Sequence, residues 1–376
     1  MQFSCNQDTF SQYLNVVSRI VNSKPGLPIL NNILFNVEKG KLTMIATDLE
    51  IGINCWIGVE TQSDGSITVP AKQLAEFINT IPSERVDVEL VKQVLNVSTV
   101  NNSAEFHTIP SDDFPKVVSI KKEKPLLQLK KDDLLNAVKR VAFAAANDDV
   151  KPVLTGVRIE IDGKNVAFVA ADGLRLSRQT FKLSSAIDKP INLLVPVKAL
   201  LEVAYVVSEF SGADSSDVVE LYLIEDRNQV LFKYNDIDIV CRLIDGQFPE
   251  YKQILPTAFK TKTTVSREGF TNSLKVINII ARSVLGNKII LDISSKDNTI
   301  TMNSTLSDVG SNKSVCEAKV EGDDIKMAFS ARFIGDMLNN INGEEIEFES
   351  SESVKPGVFK IKGDDSFIHL IMPMML

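Results

Sequence analysis

The stretch Pro28-Ile-Leu-Asn-Asn-Ile-Leu-Phe-Asn-Val37, which leads to Ile45-Ala-Thr-Asp48, decides the fold because it occurs twice. Its second copy is Pro152-Val-Leu-Thr-Gly-Val-Arg-Ile-Glu-Ile161, which leads to Val169-Ala-Ala-Asp172. The two prolines and the two aspartates are each 124 positions apart, so the spacing is kept across the intervening turn. A spacing kept in this way indicates one folding unit that was duplicated.

The repeat extends over the whole chain. Val69-Pro70-Ala-Lys72 recurs as Val195-Pro196-Val-Lys198, and a fainter third copy has Phe329-Ser330-Ala331 at the same place. Charged, proline-bearing stretches separate the copies, as is typical of connectors between domains. We therefore expect three domains, each large enough to bury its own core, at residues 1–122, 126–256 and 260–376.

Composition excludes several classes of protein. The chain has 376 residues, of which 44% are hydrophobic and 24% charged, and these values are typical of a globular protein. No apolar run is long enough to span a bilayer, and the N-terminus lacks the pattern of a signal peptide. Four scattered cysteines predict reduced core residues in a cytoplasmic protein. The net charge of −8 argues against tight binding of nucleic acid, unless positive charge is gathered on one surface.

Within each unit the pattern predicts a short strand, an amphipathic helix, a hairpin, a second helix and further strands. Phe10, Leu14, Val17 and Val21 follow helical spacing in the first unit. Good N-cap residues stand before or within the first helices: Asp8, then Asp132 or Asp133, then Ser266. The second helices are predicted to begin near Pro70, Pro196 and Ser330. This order predicts an α+β fold with antiparallel sheets, and repeated units can hide edge strands by joining their sheets across the seams.

The sequence carries few groups that suit catalysis. Its two histidines, His107 and His369, lie in strand-like segments without acidic or cysteine partners nearby, so we interpret them as structural. Phosphate-binding loops, nucleophile elbows and spaced metal ligands are missing, so no catalytic residue, cofactor or metal is expected. Asp48 and Asp172 recur directly after a strand, where aspartate commonly caps a turn. An enzyme that acts on nucleotides through Asp48, Asp172 and Arg175 is the main alternative.

Five phrases resemble the bacterial DNA polymerase III beta subunit, the sliding clamp family. They are Lys24-Pro-Gly-Leu-Pro-Ile-Leu30, Ala46-Thr-Asp-Leu-Glu50, Ala171-Asp-Gly-Leu-Arg-Leu176, Asp245-Gly-Gln-Phe-Pro-Glu-Tyr251 and Ile371-Met-Pro-Met-Met-Leu376. They occur in the family's order, cover the whole chain and lie on a threefold repeat, which is the family's hallmark. The resemblance implies the DNA clamp fold, in which three repeated domains per chain contribute to a ring.

The same resemblance implies a function without enzymatic activity. A head-to-tail homodimer would encircle double-stranded DNA without sequence specificity, and a clamp loader would open and close the ring with ATP. The ring would tether the DNA polymerase III alpha subunit and other DNA polymerases or repair proteins that carry a clamp-binding peptide. No membrane is involved. Cations on or beside the predicted helices would face the DNA: Arg19, Lys24, Lys72, Lys139, Arg140, Lys151, Lys198, Lys275 and Arg282, with Arg332 nearby.

The resemblance also implies a hydrophobic pocket for partner peptides between the second and third units. Its matching positions are Leu154, Ala171, Gly173, Leu174, Arg175, Leu176, Pro256, Phe333, Ile346, Leu370, Met372, Pro373 and Met374. Three residues depart from the family pattern, because threonine is usual at Ala171, histidine or an aromatic residue at Leu174, and arginine at Met375. These departures predict a more apolar pocket with an altered peptide preference.

The dimer seam is predicted from fewer positions. Val284 and Leu285 match interface positions of the family, and Phe106 in the first unit is a plausible counterpart. Burial in a monomer core is the competing interpretation for each of them. A monomeric scaffold, in which three units only display binding surfaces, is a third possibility that solution mass would distinguish from a dimer.

Overall fold

In the computed structural model, residues 1–21, 27–120, 123–148, 150–212 and 215–376 are described. The chain forms two compact units. One contains Met1–Lys131 and Leu201–Leu243, and the other contains Asp132–Leu200 and Ile244–Leu376. These units are set by sheets that cross the repeats, so they do not test the predicted domain boundaries, which stay a prediction.

The described residues form six α-helices, two in each repeat. They are α1 (Gln7–Ser18), α2 (Ala71–Thr80), α3 (Lys131–Val141), α4 (Val197–Glu209), α5 (Arg267–Ala281) and α6 (Ala331–Asn340). Short 3-10 helices cover Pro28–Asn31, Ala142–Ala144, Pro152–Leu154, Glu225–Arg227, Tyr251–Ile254 and Leu285–Asn287. The predicted order of a short strand, a helix, a hairpin and a second helix is confirmed in all three repeats.

Twenty-five strands make up the sheets of the described chain. In the first repeat they are β1 (Gln2–Asn6), β2 (Asn32–Glu38), β3 (Lys41–Thr47), β4 (Ile51–Gly58), β5 (Glu60–Ser63), β6 (Gly65–Pro70), β7 (Arg85–Val91), β8 (Val94–Ser98) and β9 (Ser103–His107). In the second they are β10 (Leu127–Lys130), β11 (Gly156–Asp162), β12 (Asn165–Ala171), β13 (Arg175–Lys182), β14 (Ile191–Pro196), β15 (Val218–Ile224), β16 (Gln229–Tyr234) and β17 (Ile237–Arg242).

In the third repeat the strands are β18 (Thr261–Ser266), β19 (Lys288–Ser294), β20 (Thr299–Leu306), β21 (Gly310–Gly322), β22 (Ile325–Ser330), β23 (Glu345–Ser350), β24 (Gly357–Ile361) and β25 (Asp364–Ile371). Neighbouring strands pair antiparallel, for example β2 with β3 and β11 with β12. The predicted α+β class with antiparallel sheets is therefore confirmed.

The first compact unit holds two sheets. A five-stranded sheet has the order β5-β1-β7-β8-β9, and an eight-stranded sheet has the order β10-β15-β16-β17-β4-β3-β2-β6. Phe10 of α1 is fully buried and packs its ring against Phe3 of the five-stranded sheet and Phe35 of the eight-stranded sheet. The predicted helical stripe at Phe10, Leu14 and Val17 therefore faces this core, whereas the predicted Val21 is buried but lies beyond the end of α1 at Ser18.

The second compact unit holds one sheet of twelve strands. Its order is β14-β11-β12-β13-β25-β24-β23-β18-β21-β20-β19-β22. The rings of Phe329, Phe348 and Phe359 pack together in its third-repeat part, with centroids 4.8 to 6.3 Å apart. Apolar side chains of α5 and α6, including Leu274 and Ile334, belong to the same core.

Sheets run across both seams between successive repeats. At the first seam β4 pairs with β17, with Ile53 opposite Ile239. At the second seam β13 pairs with β25, with Ser177 opposite His369. Both pairs join the strand after a repeat's hairpin to the last strand of the next repeat. The expectation that the repeats hide edge strands by joining their sheets is confirmed at both seams.

Two of the three predicted helix caps are wrong. The N-cap of α1 is Asn6, whose side chain accepts a hydrogen bond from the Thr9 N–H at 3.2 Å, and Asp8 lies in the first turn. Helix α3 already begins at Lys131, so Asp132 and Asp133 also lie in its first turn. There their charges favour the positive end of the helix dipole. The prediction of Ser266 is confirmed, since its Oγ accepts from the Gly269 N–H at 3.3 Å.

The first seam predicts a difference between two glycines of β4. A Cβ on Gly52 would lie 2.7 Å from Cγ1 of Val117 and 3.1 Å from Cγ1 of Val240, whereas nothing lies within 4 Å of one on Gly58. We expect Gly52→Ala to lower the free energy of unfolding by about 1–3 kcal/mol through overpacking. The matched Gly58→Ala variant should change it by less than about 0.5 kcal/mol. Urea unfolding measures both, and equal values would contradict the packing at this seam.

Candidate functional site

The repeated aspartates cap equivalent turns. Oδ1 of Asp48 accepts from the backbone N–H groups two and three residues further on, at 3.0 and 2.8 Å. Oδ1 of Asp172 accepts from the same two positions, both at 2.9 Å. Their interpretation as turn caps is therefore confirmed, because each carboxylate satisfies backbone donors that would otherwise be unpaired.

The turn at residues 172–175, which we call the second-seam turn, presents predicted pocket residues to solvent. Gly173 has φ +92°, a conformation that favours glycine, and Leu174 is 57% exposed. The Leu174 carbonyl accepts a hydrogen bond from the Met372 N–H at 2.8 Å, and Met372 is itself 41% exposed. A backbone hydrogen bond therefore joins an exposed apolar residue of the turn to an exposed apolar residue of the C-terminal segment.

Beneath this surface lies an apolar group that we call the second-seam cluster. Its buried members are Leu154, Val169, Leu176, Leu194, Phe248, Tyr251, Val358 and Leu370. Three of them, Leu154, Leu176 and Leu370, are predicted pocket residues, and the predicted Ala171 packs against the cluster. The described structure thus brings Leu370 of the third repeat together with Leu154, Ala171 and Leu176 of the second.

The other predicted pocket residues are placed differently. Ile346 is fully buried and Phe333 is 8% exposed, and both belong to the separate core of the third repeat. Pro256 and Pro373 are half-buried. Met374 donates its N–H to the Ala328 carbonyl at 2.8 Å, and its Cε would lie 2.7 Å from a Cβ on Gly286. Phe333, Ile346 and Met374 therefore lie outside the second-seam cluster.

Several residues of this region were not singled out from the sequence as pocket residues, namely Val169, Leu194, Phe248, Tyr251, Val358 and Ile254. Tyr251 and Val358 are members of the second-seam cluster, and Ile254 is 50% exposed in the same 3-10 helix as Tyr251. The Tyr251 hydroxyl donates to Oε2 of Glu160 at 3.0 Å, and burial together with this carboxylate raises the Tyr251 pKa. The phrase that ends in Tyr251 carried the family resemblance, and its repeat at Phe114-Pro115 could have indicated a place at a seam.

Arg175 is the charged residue of the predicted pocket, and its side chain is 4% exposed. Its Nε lies 3.0 Å from Oδ2 of Asp172, and its Nη1 lies 2.6 Å from Oδ2 of Asp336 on α6. The guanidinium also lies over the Phe333 ring, 4.5 Å from its centroid. Two carboxylates and an aromatic face thus hold the base of the second-seam turn.

Most of the predicted DNA-facing cations are exposed. Those on or beside the helices are Lys72, Lys139, Lys151, Lys198, Lys275 and Arg282. Lys275, Arg282 and Arg332 line a groove of about 300 Å³ between α5 and α6, together with the amide side chains of Asn278, Asn287 and Asn339. Cations and amides are the groups that contact phosphate oxygens.

Two predicted arginines form ion pairs within the chain. Arg19 forms an ion pair with Glu202 at 2.6 Å and lies 3.8 Å from the Tyr205 ring centroid. Arg140 donates to Gln179 and to Asp364, each at 2.9 Å. A phosphate would have to compete with these partners. Lys24 lies outside the described residues.

The predicted dimer residues differ in exposure. Leu285 is 93% exposed and Val284 is half-buried, at the end of α5, while Ile279 on the same helix is 62% exposed. Phe106 on β9 is half-buried and packs its ring against Phe77 of α2, with centroids 5.9 Å apart. A side chain as exposed as Leu285 does not fit the competing interpretation of burial in a monomer core.

The histidines and cysteines have structural surroundings. His369 is fully buried, its Nδ1 lies 2.6 Å from Ser177 Oγ, and burial lowers its pKa to about 3. Burial also raises the pKa of the Cys5 and Cys241 thiols to about 12, which makes them unreactive at neutral pH.

Among the described residues, no group of three or more His, Cys, Asp or Glu side chains is placed to hold a metal ion. None of the helices in that part of the chain has the length and apolar character needed to cross a bilayer.

Three strand-joined repeats, each with two helices, define a DNA clamp fold, and comparisons agree with this class. Profiles of the DNA polymerase III beta subunit match in order, the N-terminal domain at residues 1–118, the central domain at 128–250 and the C-terminal domain at 252–375. The chain therefore belongs to the DNA polymerase III beta subunit family, the sliding clamps.

Individual relatives extend over the whole chain. A beta sliding clamp from Synechococcus elongatus is 28% identical, with all of both chains covered. A beta sliding clamp from Staphylococcus aureus is 26% identical and covers 100% of this chain and 99% of its own. The solved DNA polymerase III beta subunit of Thermotoga maritima superposes with a TM-score of 0.92 at 26% identity, covering 100% of this chain and 99% of that one.

His369 predicts a pH dependence of stability. Its folded pKa of about 3 lies below the ordinary value of 6.5, so below pH 6.5 the unfolded chain binds a proton that the folded chain excludes. As the pH falls from 6.5 to 3, we expect this residue to lower the free energy of unfolding by about 1.4 kcal/mol for each pH unit. Replacing His369 by Gln, which keeps a hydrogen-bonding partner for Ser177, should remove this contribution.

Urea unfolding at pH 7, 6, 5 and 4 compares the wild type with His369→Gln. The exposed His107→Gln variant is the matched control and should keep the wild-type slope. Carboxylates that titrate in this range are common to all three proteins, so the difference between slopes isolates His369. Identical slopes for wild type and His369→Gln would contradict a neutral buried imidazole.

Proposed function

We propose that this chain is a DNA polymerase processivity factor that acts as a head-to-tail homodimeric ring around duplex DNA. Each chain contributes three domains, at residues 1–122, 126–256 and 260–376, and six domains complete the ring. A clamp loader opens and closes the ring with ATP in the cytoplasm. The ring then tethers the DNA polymerase III alpha subunit, and other polymerases or repair proteins, through a hydrophobic peptide pocket.

The observation that carries the proposal is that both internal seams use one and the same strand pairing. Ile53 stands opposite Ile239 at the first seam, and Ser177 stands opposite His369 at the second. One edge of each repeat therefore pairs with the other edge of the next repeat, in the same way at both seams. A head-to-tail contact of this kind closes into a ring when the rotation permits.

Within the described residues of a single chain, one strand edge of each of the two kinds that meet at the seams has no partner strand. Strand β9, the last strand of the first repeat, stands at the end of its sheet. From Gly310 to Glu317, strand β21 pairs with β20 on one side, and its pairing with β18 begins only at Ala318. These strands occupy the places of β17 and β4 at the first seam. Unpaired edges attract further strands, so a second copy of the chain is the partner that the repeat favours.

The internal seams also give the register of this third seam. Ala104 is the equivalent in the first repeat of Ile239 in the second and His369 in the third. Each of the three residues is found by following the paired residues from the first strand of its repeat (β1, β10 or β18) to the last strand. Asn312 takes the place of Ile53 and Ser177, because it stands opposite Ser304 as Ile53 stands opposite Ala46. Ala104 of one chain should therefore stand opposite Asn312 of the other. Ser103 then stands opposite Lys313, and Phe106 opposite Gly310.

The distribution of charge supports weak contacts with DNA. The chain carries a net charge of −8, yet Lys275, Arg282 and Arg332 gather in the groove between α5 and α6. A ring retained by topology does not need high affinity, and sparse phosphate contacts carry no sequence information. Sparse contacts allow the ring to slide, and they weaken as the salt concentration rises.

The second-seam cluster supports the peptide pocket. It places Leu154, Leu176 and Leu370 beneath the exposed Leu174 and Met372. Leucine and methionine side chains form adaptable apolar surfaces that suit peptide segments of varied sequence. Tyr251 belongs to the same buried cluster and Ile254 is exposed in the 3-10 helix that contains Tyr251, so we include both in the proposed pocket.

The enzyme alternative loses its candidate residues. The carboxylates of Asp48 and Asp172 are committed to backbone N–H groups of their own turns, and Arg175 is buried between Asp172 and Asp336. We therefore propose that the chain has no catalytic activity of its own and needs no cofactor.

A disulfide tests the ring closure and its register. Ser103 and Lys313 are both exposed in the single chain, and the proposed register places them opposite each other. Opposite residues of antiparallel strands have Cα atoms about 4.5–5.5 Å apart, which lies within the range of disulfides. We expect Ser103→Cys combined with Lys313→Cys to give a covalent dimer on oxidation, as measured on a non-reducing gel.

The control shifts one cysteine by a single residue. Ser103→Cys combined with Ser314→Cys places the two side chains on opposite faces of the sheet, so it should cross-link far less. Sedimentation should give twice the mass of the 41.5 kDa chain for the wild type. A wild-type monomer, or equal cross-linking of the two pairs, would contradict the proposed closure.

A further inference from the structure

Helix α6 contacts Arg175 of the proposed peptide pocket through the carboxylate of Asp336 and the ring of Phe333. Asp336 lies on α6, and its Oδ2 lies 2.6 Å from Nη1 of Arg175. Its side chain is 35% exposed, and it lines the same groove as Lys275, Arg282 and Arg332. Asp336 was not among the residues predicted from the sequence.

Arg175 transmits this contact to the second-seam turn. Its Nε is bound by Asp172, the residue whose other oxygen caps the turn, so both ends of the turn are tied to one guanidinium. The Leu174 carbonyl between them accepts from Met372. The position of the exposed Leu174 side chain therefore depends on where the guanidinium is held.

The internal repeat separates this role from a general structural one. Glu202 occupies on α4 the position that Asp336 occupies on α6, since both stand five residues after equivalent helix starts. Glu202 also binds an arginine, Arg19, at 2.6 Å. That ion pair joins two helices and does not involve a turn that carries an exposed apolar side chain. Of these two ion pairs, the one at Asp336 is therefore the one that meets a proposed binding surface.

We propose that Asp336 is a positioning residue of the peptide pocket, which fixes Arg175 and through it the turn that presents Leu174. This inference rests on the proposed function, because it presupposes that peptides bind at the second seam. Removing the Asp336 charge leaves a buried guanidinium with one carboxylate instead of two. Arg175 and the turn are then free to adopt other arrangements, which weakens peptide binding without a change in any residue that touches the peptide.

The test measures peptide affinity by fluorescence polarisation. The probe is a fluorescein-labelled synthetic peptide that covers the clamp-binding segment of a bacterial polymerase III alpha subunit. We expect Asp336→Asn to weaken binding roughly tenfold, the size expected for coupled neighbouring residues. Asp336→Glu, which restores the carboxylate, should recover most of the affinity. The matched Glu202→Gln variant should bind as the wild type does.

A double-mutant cycle with Leu174→Ala distinguishes positioning from loss of stability. If Asp336 positions Leu174, then Leu174→Ala weakens binding in the wild type and has a much smaller effect in the Asp336→Asn background. A variant that is only less stable would keep the full effect of Leu174→Ala. Thermal unfolding identifies a misfolded Asp336→Asn protein, in which case Asp336→Glu and Asp336→Ser carry the comparison.

The outcomes separate the inference from the proposed function. Binding by the wild type with unchanged affinity in Asp336→Asn overturns the positioning role and leaves the pocket in place. Full additivity in the cycle also overturns it. No binding by the wild type overturns the proposed pocket, and the positioning role with it.

Discussion

The pairing of strand edges is the constraint on which the rest of this structure depends. Each repeat has a sheet whose edge strands carry unpaired N–H and C=O groups, and such edges pair readily with other strands. The chain satisfies them by joining β4 to β17 and β13 to β25 in the same way. The proposed ring follows from this constraint, since β9 and the first half of β21 are the edges that the same rule leaves for a second chain.

A common backbone at the seams allows different side chains to give different surfaces. Gly52 at the first seam takes the place of Leu176 at the second, and Val117 fills the space above the glycine. At the second seam Leu176 belongs to an apolar cluster that includes Leu370. Ile53 opposite Ile239 is likewise replaced by Ser177 opposite His369. The two seams therefore share a register but differ in the side chains that they place there.

The sequence predicted most of the fold because its strongest signals are local. Hairpins and helical stripes depend on residues near one another, and they are found where they were expected except for Val21, which lies beyond the end of α1. The prediction of Asp8 as an N-cap was wrong because α1 begins directly after β1. Asn6, the last residue of β1, therefore occupies the N-cap position. Helix α3 likewise follows β10 without a linker, and this junction places Asp132 and Asp133 inside the helix.

The site was predicted less completely, because it is made by contacts between distant residues. The resemblance identified Leu154, Leu176 and Leu370, which the described structure brings together. It did not identify Asp336, because nothing near Arg175 in the sequence points to a carboxylate 161 residues away. In the same way, the cations on predicted helices looked alike, yet Arg140 is bound to Asp364 while Lys275 is exposed.

Retention on circular DNA tests the central claim of an encircling ring most directly. The protein is loaded onto nicked circular duplex DNA with ATP and a bacterial clamp loader whose activity is verified on its own clamp. It is then passed through a sizing column before and after the DNA is linearised. The ring predicts that protein stays with the circle and is lost from the linear form by sliding off its ends. Equal retention on both forms would contradict it, because binding would then depend on contacts and not on topology.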